Sequence, residues 1–175
     1  AIFDGQLYGT RVNSTTTVYK VGTGLPESSA SPTAILADAT KPTGPYGMAF
    51  VTVDGSDRLY IADDGSNSST YKGVSRWTRS GSTWSYDGVT LDCGSAGCRD
   101  VGATVAGGKV VVMATTADAT GNTLKIFVDD VLVGTTTAPT VTYATAFRGV
   151  APAPFSGGEC SGGELALCDD ANECT

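Results

Sequence analysis

A short β-strand pattern returns three times along the chain at nearly constant spacing. It occurs at residues 5–10, 57–63 and 108–115, and its apolar positions Leu7, Leu59 and Val110 are 52 and 51 residues apart. A period of this length is typical of repeat architectures, in which each unit is one supersecondary structure that buries its faces against its neighbours. The repeat therefore constrains the fold more than any other feature of the sequence.

The composition favours β-structure throughout the chain. Glycine accounts for 23 of the 175 residues, threonine and serine are abundant, and leucine and glutamate are scarce. Strong helix formers are therefore rare, and no stretch keeps helical periodicity for more than about two turns. An all-β chain with this period predicts a β-propeller segment of about three four-stranded blades. A β-sandwich is the alternative fold, and it predicts no structural repeat of this length.

The repeat divides the chain into units. Within a propeller region at 1–153 we expect a partial first blade at 1–26, a second at 45–91, a third at 98–134 and a final inner strand at 147–152, followed by a cysteine-rich tail at 154–175. The first unit lacks an inner strand, because Ala1 lies just before the turn at Gly5. Three blades are too few to close a ring, so we expect further blades elsewhere in a larger protein.

The middle unit resembles the blade repeat of NHL-type and related six- or seven-bladed propellers. The resemblance covers about 35 residues and implies the propeller fold. One departure is the run at 68–71, where the family usually has a basic residue soon after the asparagine. The matching positions are Pro45, Gly47, Ala49, Asp54-Gly55, Leu59-Tyr60-Ile61-Ala62-Asp63, Asn67, Val74 and Trp77.

The cysteines indicate an oxidising compartment. Cys93 and Cys98 enclose a short run of small residues that a disulfide can close, and no second close pair with zinc-site spacing lies nearby. Cys160, Cys168 and Cys174 lie in the tail, which resembles the opening of small extracellular cysteine-rich modules and implies that a further module follows. Three cysteines cannot all pair with one another. The odd one has a partner beyond Thr175, a partner in another chain, or a free thiol, and we favour the first.

Two N-glycosylation sequons support the same compartment. They begin at Asn13 and Asn67, in polar stretches between predicted strands where a glycan can be tolerated. A chance sequon is common in a chain rich in serine and threonine. Together with the predicted disulfide, however, the two sequons favour an extracellular, secreted or cell-surface glycoprotein.

Charge and composition exclude several function classes. The formal net charge is −7 and no basic stripe offsets it, so we expect no nucleic-acid partner. The chain has no histidine, which removes Ser-His and Cys-His catalysis and histidine-ligated metals. The apolar runs are short, so we expect no membrane span.

Two clusters are candidate binding residues. Asp63 and Asp64 offer oxygen ligands in a turn, so calcium is the one cofactor that the sequence suggests; a loop-capping pair is the alternative. Trp77, Trp84 and Tyr86 offer a sugar-stacking surface, with core packing as the alternative. No nucleophile–base pair, phosphate loop or cofactor motif is present, so no catalytic residue is predicted.

The function that these features favour is structural. We expect a non-catalytic extracellular glycoprotein module for assembly or adhesion, at a cell surface or in an extracellular filament. Its partners are expected to be other blades or modules of the same larger protein, and proteins or glycans at the cell surface. The alternatives are a carbohydrate- or calcium-dependent ligand-binding propeller, and a fragment of a secreted propeller hydrolase.

Overall fold

The computed structural model describes residues 1–12, 17–37, 42–65, 71–119, 121–137 and 149–151. These residues form three four-stranded antiparallel sheets, each a meander in which sequential strands pair. The first sheet contains β1 (Ile2–Phe3), β2 (Gln6–Thr10), β3 (Val18–Val21) and β4 (Pro32–Ala34). The second contains β5 (Pro45–Val53), β6 (Ser56–Asp63), β7 (Gly73–Ser80) and β8 (Thr83–Leu91). The third contains β9 (Cys98–Ala106), β10 (Lys109–Thr116), β11 (Thr123–Val128) and β12 (Val131–Thr137).

Each sheet begins with the same tight hairpin. Both central residues of these turns have positive φ, the conformation of a type I′ turn, whose twist matches that of the flanking strands. The second turn residues are Gly5, Gly55 and Gly108, so the structural repeat is 50 and then 53 residues long. The spacings between Leu7, Leu59 and Val110 are 52 and 51 residues. The difference arises because Leu59 lies two positions farther from its turn than Leu7 or Val110 does. A shift of two keeps a side chain on the same face of a strand. The turns are Asp4-Gly5, Asp54-Gly55 and Gly107-Gly108.

The second sheet is the middle layer of the molecule. Leu59 and Ile61 of β6 belong to the core shared with the first sheet, whereas Tyr60 and Ala62 belong to the core shared with the third. All four are fully buried, so this strand is apolar on both faces. The core between the first and second sheets comprises Tyr8, Val18, Ile35, Leu59, Ile61, Tyr71, Trp77 and Trp84. The core between the second and third comprises Val51, Val53, Tyr60, Ala62, Val74, Leu91, Cys93, Cys98, Val101, Val110, Val112, Ala114 and Phe127.

The sheets approach one another closely at β5, the first strand of the second sheet. β5 contacts both β2 and β9, and the Thr10 hydroxyl donates a hydrogen bond to the Tyr46 carbonyl at 2.8 Å. A Cβ atom placed on Gly47 would lie 2.9 Å from the Cα of Asp100, so this position accommodates only glycine without a shift. The predictions of an all-β chain and of three four-stranded units are confirmed. The structural repeat contradicts the β-sandwich alternative.

The first sheet differs from the prediction in two ways. It has an inner strand, because β1 pairs Ile2 with Leu7 and Phe3 with Gln6. It also extends past residue 26, where a partial blade was expected to end, since β4 pairs Val21 with Pro32. All three residues of β4 are exposed and one is proline, which suits an edge strand but provides no apolar alternation to detect.

The predicted inner strand at 147–152 lies mostly outside the described residues. The described part, 149–151, is not in a strand. It is nevertheless held beside the third sheet, because the Val150 amide donates a hydrogen bond to Oδ2 of Asp100 at 2.7 Å. The predicted tail at 154–175 lies outside the described residues.

Candidate functional site

The predicted disulfide between Cys93 and Cys98 is confirmed. It closes the connection from β8 to β9, and both cysteines are buried in the core between the second and third sheets. Gly94 and Gly97 have positive φ inside this loop, which lets the chain turn tightly enough to close it. The loop therefore fixes where one sheet ends and the next begins. Cys160, Cys168 and Cys174 lie outside the described residues, as do the sequons at Asn13 and Asn67.

The Asp63 and Asp64 pair holds the ends of strands. Asp63 is fully buried; its Oδ2 accepts a hydrogen bond from the Gly44 amide at 3.1 Å and its Oδ1 accepts one from the Gly65 amide at 2.6 Å. Asp64 forms an ion pair with Arg99 at 3.5 Å. The described residues contain no group of three or more side chains suited to hold a metal ion. This arrangement fits the loop-capping alternative, and calcium binding here stays a prediction.

The predicted aromatic surface of Trp77, Trp84 and Tyr86 is wrong for both tryptophans. Trp77 is 0% and Trp84 1% exposed, because both point into the core between the first and second sheets. The Trp77 indole donates a hydrogen bond to the Ser75 hydroxyl at 2.9 Å, which satisfies its polar atom without water. Tyr86 is partly buried and packs on Trp77, with ring centroids 5.5 Å apart. The alternative of core packing holds for the tryptophans.

A small polar cleft lies between the first and second sheets. Its volume is about 150 Å³, and the residues that line it include Asp4, Tyr8, Lys20, Arg79 and Trp84. Arg79 forms ion pairs with Asp57 at 3.1 Å and with Asp4 at 3.4 Å. No single stretch of sequence marks this cleft, because its lining comes from strands far apart in the chain.

Electrostatics inside the cleft favour a charged guanidinium and a neutral phenol. Burial lowers the pKa of Arg79, but its hydrogen bonds to Asp57 and Asp4 outweigh burial and leave the pKa above its usual value. Burial raises the pKa of the Tyr8 hydroxyl, and Arg79 opposes that shift. Lys20 makes no ion pair with a described residue. The cleft thus holds one paired cation and one cation with no described partner.

The third sheet carries a broad apolar face on the side away from the second sheet. We call it the third-sheet outer face. In one row Val111 pairs with Val128 and Val128 with Val131; in the next, Met113 pairs with Ile126. Paired residues share a face, so these five side chains form one surface. Val131 is 63% exposed and the other four are partly exposed. None of the five side chains belongs to either buried core of the described residues.

No protein-family model matches the chain, and neither a curated protein nor a solved structure matches it. The resemblances to NHL-type blades and to small cysteine-rich modules therefore stay predictions. No helix long and apolar enough to cross a membrane occurs in the described part of the chain.

Proposed function

We propose that this chain is a non-catalytic structural module of an extracellular glycoprotein, with the three sheets forming part of a propeller. It assembles through exposed faces of its sheets. The observation that carries this proposal is the third-sheet outer face, because a partly exposed apolar surface of several side chains on one sheet is typical of an interaction site. On both sides of the second sheet, the same kind of surface is covered by a neighbouring sheet.

The rest of the molecule suits a rigid assembly module. Its middle sheet is buried on both faces, and a disulfide fastens the connection between the second and third sheets. Arg76 of β7 also bridges Asp87 of the same sheet and Asp130 of the third sheet. A rigid surface binds with little loss of conformational entropy, which favours stable contacts over transient ones.

The compartment is tested on protein from its native source. Peptide mass spectrometry under non-reducing conditions should find Cys93 linked to Cys98 and glycans on Asn13 or Asn67. Reduced Cys93 and Cys98 together with bare asparagines would rule out an extracellular module.

Assembly is tested by coating a surface with the purified chain and measuring attachment of cells from the native source. A chain carrying Val111→Lys is the matched comparison, because this change charges the third-sheet outer face at a partly exposed position. We expect attachment to the native chain to exceed attachment to the variant several-fold. Equal attachment to both would show that this face is not the contact surface.

A second candidate function is the binding of a small acidic sugar in the cleft. The cleft suits such a ligand because the cations of Lys20 and Arg79 attract its carboxylate, while Asp4 can accept hydrogen bonds from its hydroxyl groups. Titration with glucuronic acid should change the fluorescence of Trp84, and Lys20→Ala should weaken the response about tenfold or more. Lys109→Ala, at an exposed position on the third sheet, is the control. No response from the native protein would eliminate this candidate.

A further inference from the structure

We infer that the third-sheet outer face binds the first sheet of a second copy of this chain, head to tail, so that two copies close a ring of six sheets. This inference rests on the proposed function and names its partner. It follows from the way the sheets already pack inside one chain, from the chemistry of the two outermost faces, and from the position of residues 149–151.

The sheets pack by one repeated rule. In each second strand, the third and fifth residues after the turn glycine face the following sheet, as Tyr8 and Tyr60 do. The second, fourth and sixth residues face the preceding sheet, as Leu59, Val110 and Val112 do. Each internal interface therefore joins the odd positions of one sheet to the even positions of the next.

The third sheet presents the odd positions of its second strand on its outer face. Val111 and Met113 are the third and fifth residues after Gly108. They occupy the places that Arg58 and Tyr60 occupy in the second sheet. Both are apolar and partly exposed. By the rule of the internal interfaces, they face the place of a following sheet, and neither belongs to the buried cores of the described residues.

The first sheet presents the complementary even positions. Leu7 and Gly9 are the second and fourth residues after Gly5, and they face away from the second sheet. Ile2 pairs with Leu7, Tyr19 with Gly9, and Ile2 is 63% exposed. A Cβ placed on Gly9 would lie 2.8 Å from the Tyr19 ring, so that ring lies on Gly9 and widens the apolar surface. We call this the first-sheet outer face. Ile2, Leu7 and Tyr19 belong to neither of the two buried cores of the described residues.

The inner edges of the two sheets also fit. Residues 149–151 lie beside Asp100, at the edge of the third sheet where the first strand of a following sheet would lie. In the first sheet, the backbone of Ala1 exchanges hydrogen bonds with that of Tyr8 in β2, which places β1 on the inner edge of that sheet. In the head-to-tail arrangement, residues 149–151 of one copy therefore lie beside β1 of the other.

Closure follows from symmetry. An interface between two different faces produces a ring when its rotation closes and an open filament when it does not. Inside the chain the same type of interface occurs twice, among three sheets. Two copies related by a twofold axis through the centre of the ring would add two more interfaces, equivalent to each other. The resulting six sheets match one of the blade numbers at which propellers close.

The test is the mass of the full chain in solution, measured by light scattering during size exclusion. We expect twice the mass of one chain. Val131→Lys should raise the dissociation constant about tenfold or more, because it buries a charge in an apolar interface. Leu132→Lys is the matched control and should change the constant less than about threefold. Leu132 lies on the same strand, 46% exposed, but pairs with Phe127 and so faces the second sheet.

A mixing experiment separates head-to-tail pairing from the pairing of identical faces. Ile2→Lys disables the first-sheet outer face and Val131→Lys the third-sheet outer face, so each variant alone should be monomeric. An equimolar mixture retains one intact pair of faces and should form dimers. The inference would be overturned if the mixture formed no dimers. It would also be overturned if the native chain formed open polymers, or if it kept the mass of one chain at every soluble concentration. The attachment assay still judges the assembly role in that case, so the two proposals can fail separately.

Discussion

Gly47 shows at the scale of one residue how closely the sheets pack. A Cβ at this position would lie 2.6 Å from Oδ1 of Asp100 and 2.9 Å from the amide nitrogen of Val101. Two of its closest neighbours are backbone atoms of β9, which cannot move without shifting the strand. The glycine is therefore required by the distance between two strands and not by its own backbone angle.

Replacing Gly47 with alanine should destabilise the protein by about 1–3 kcal/mol, because the added methyl group forces β5 and β9 apart. Chemical denaturation measures the change. Gly134→Ala is the matched control, since nothing lies within 4 Å of its added Cβ, and it should leave stability unchanged or slightly higher. Equal effects at the two positions would show that β5 and β9 do not approach as described.

Tyr60 links stability to pH. Burial raises the pKa of its hydroxyl above the usual 10.0, with Arg58 opposing the shift. A folded state that holds this proton more tightly than the unfolded chain is at full stability below pH 10.0, and loses stability as the pH rises from there through the folded-state pKa. The hydroxyl has no hydrogen-bond partner of normal geometry within the described residues.

Tyr60→Phe should therefore leave stability at neutral pH unchanged or slightly higher, because the lost hydroxyl leaves no partner unsatisfied. Above about pH 10 the variant should lose less stability than the native protein. Denaturation curves across this range measure the difference. Parallel losses in the two proteins would mean that Tyr60 ionises as readily in the folded state as in the unfolded one.

Single-residue roles were predictable where local geometry decides them. The turn at Gly5 and the disulfide between Cys93 and Cys98 are predicted correctly, because each depends on a few neighbouring residues. The tryptophans were not assigned to one role, because Trp77 faces the core only if a sheet covers that side of β7. That covering sheet comes from residues more than 40 positions away, so local sequence carries no sign of it.

At the scale of strands, the second and third sheets follow the sequence closely. Their strands alternate or run apolar, and two of the three connections in each sheet are two-residue turns, so both signals agree on most of the boundaries. The strands of the first sheet are much less predictable from the sequence. β1 has only two residues and β4 has three exposed ones, so neither is long enough to show a period. Their strand character comes from pairing with β2 and β3, which is a tertiary property.

The disulfide acts on one connection between sheets. Replacing Cys93 and Cys98 together with alanine should lower the free energy of unfolding by about 2 kcal/mol, since a loop this short restricts the unfolded chain only modestly. Denaturation of the native protein with and without reductant provides the comparison. Adding reductant to the double variant is the control and should change nothing. A native protein whose stability is unaffected by reductant would contradict a structural role for this bond.

The molecule as a whole is a stack of three layers with two outermost faces. Composition and period predict three four-stranded units, and these units stack as layers because β6 is buried and apolar on both faces. The cleft and the two outer faces were not predictable from the sequence, because each combines side chains from separate strands whose orientation depends on register. The proposed assembly uses those two faces, so it requires this order of layers.

Amide hydrogen exchange of the Val131→Lys variant, which is expected to be monomeric and so leaves both outer faces uncovered, tests that layer order most directly when it is read at the level of single strands by mass spectrometry. Exchange should be slowest in β6, which has a strand on each edge and an apolar layer on each face, and much faster in β1 and β4. β2 and β10 should be intermediate, because each is covered on one face only. A β6 that exchanges as fast as β2 and β10 would contradict the three-layer stack and the assembly proposed from it.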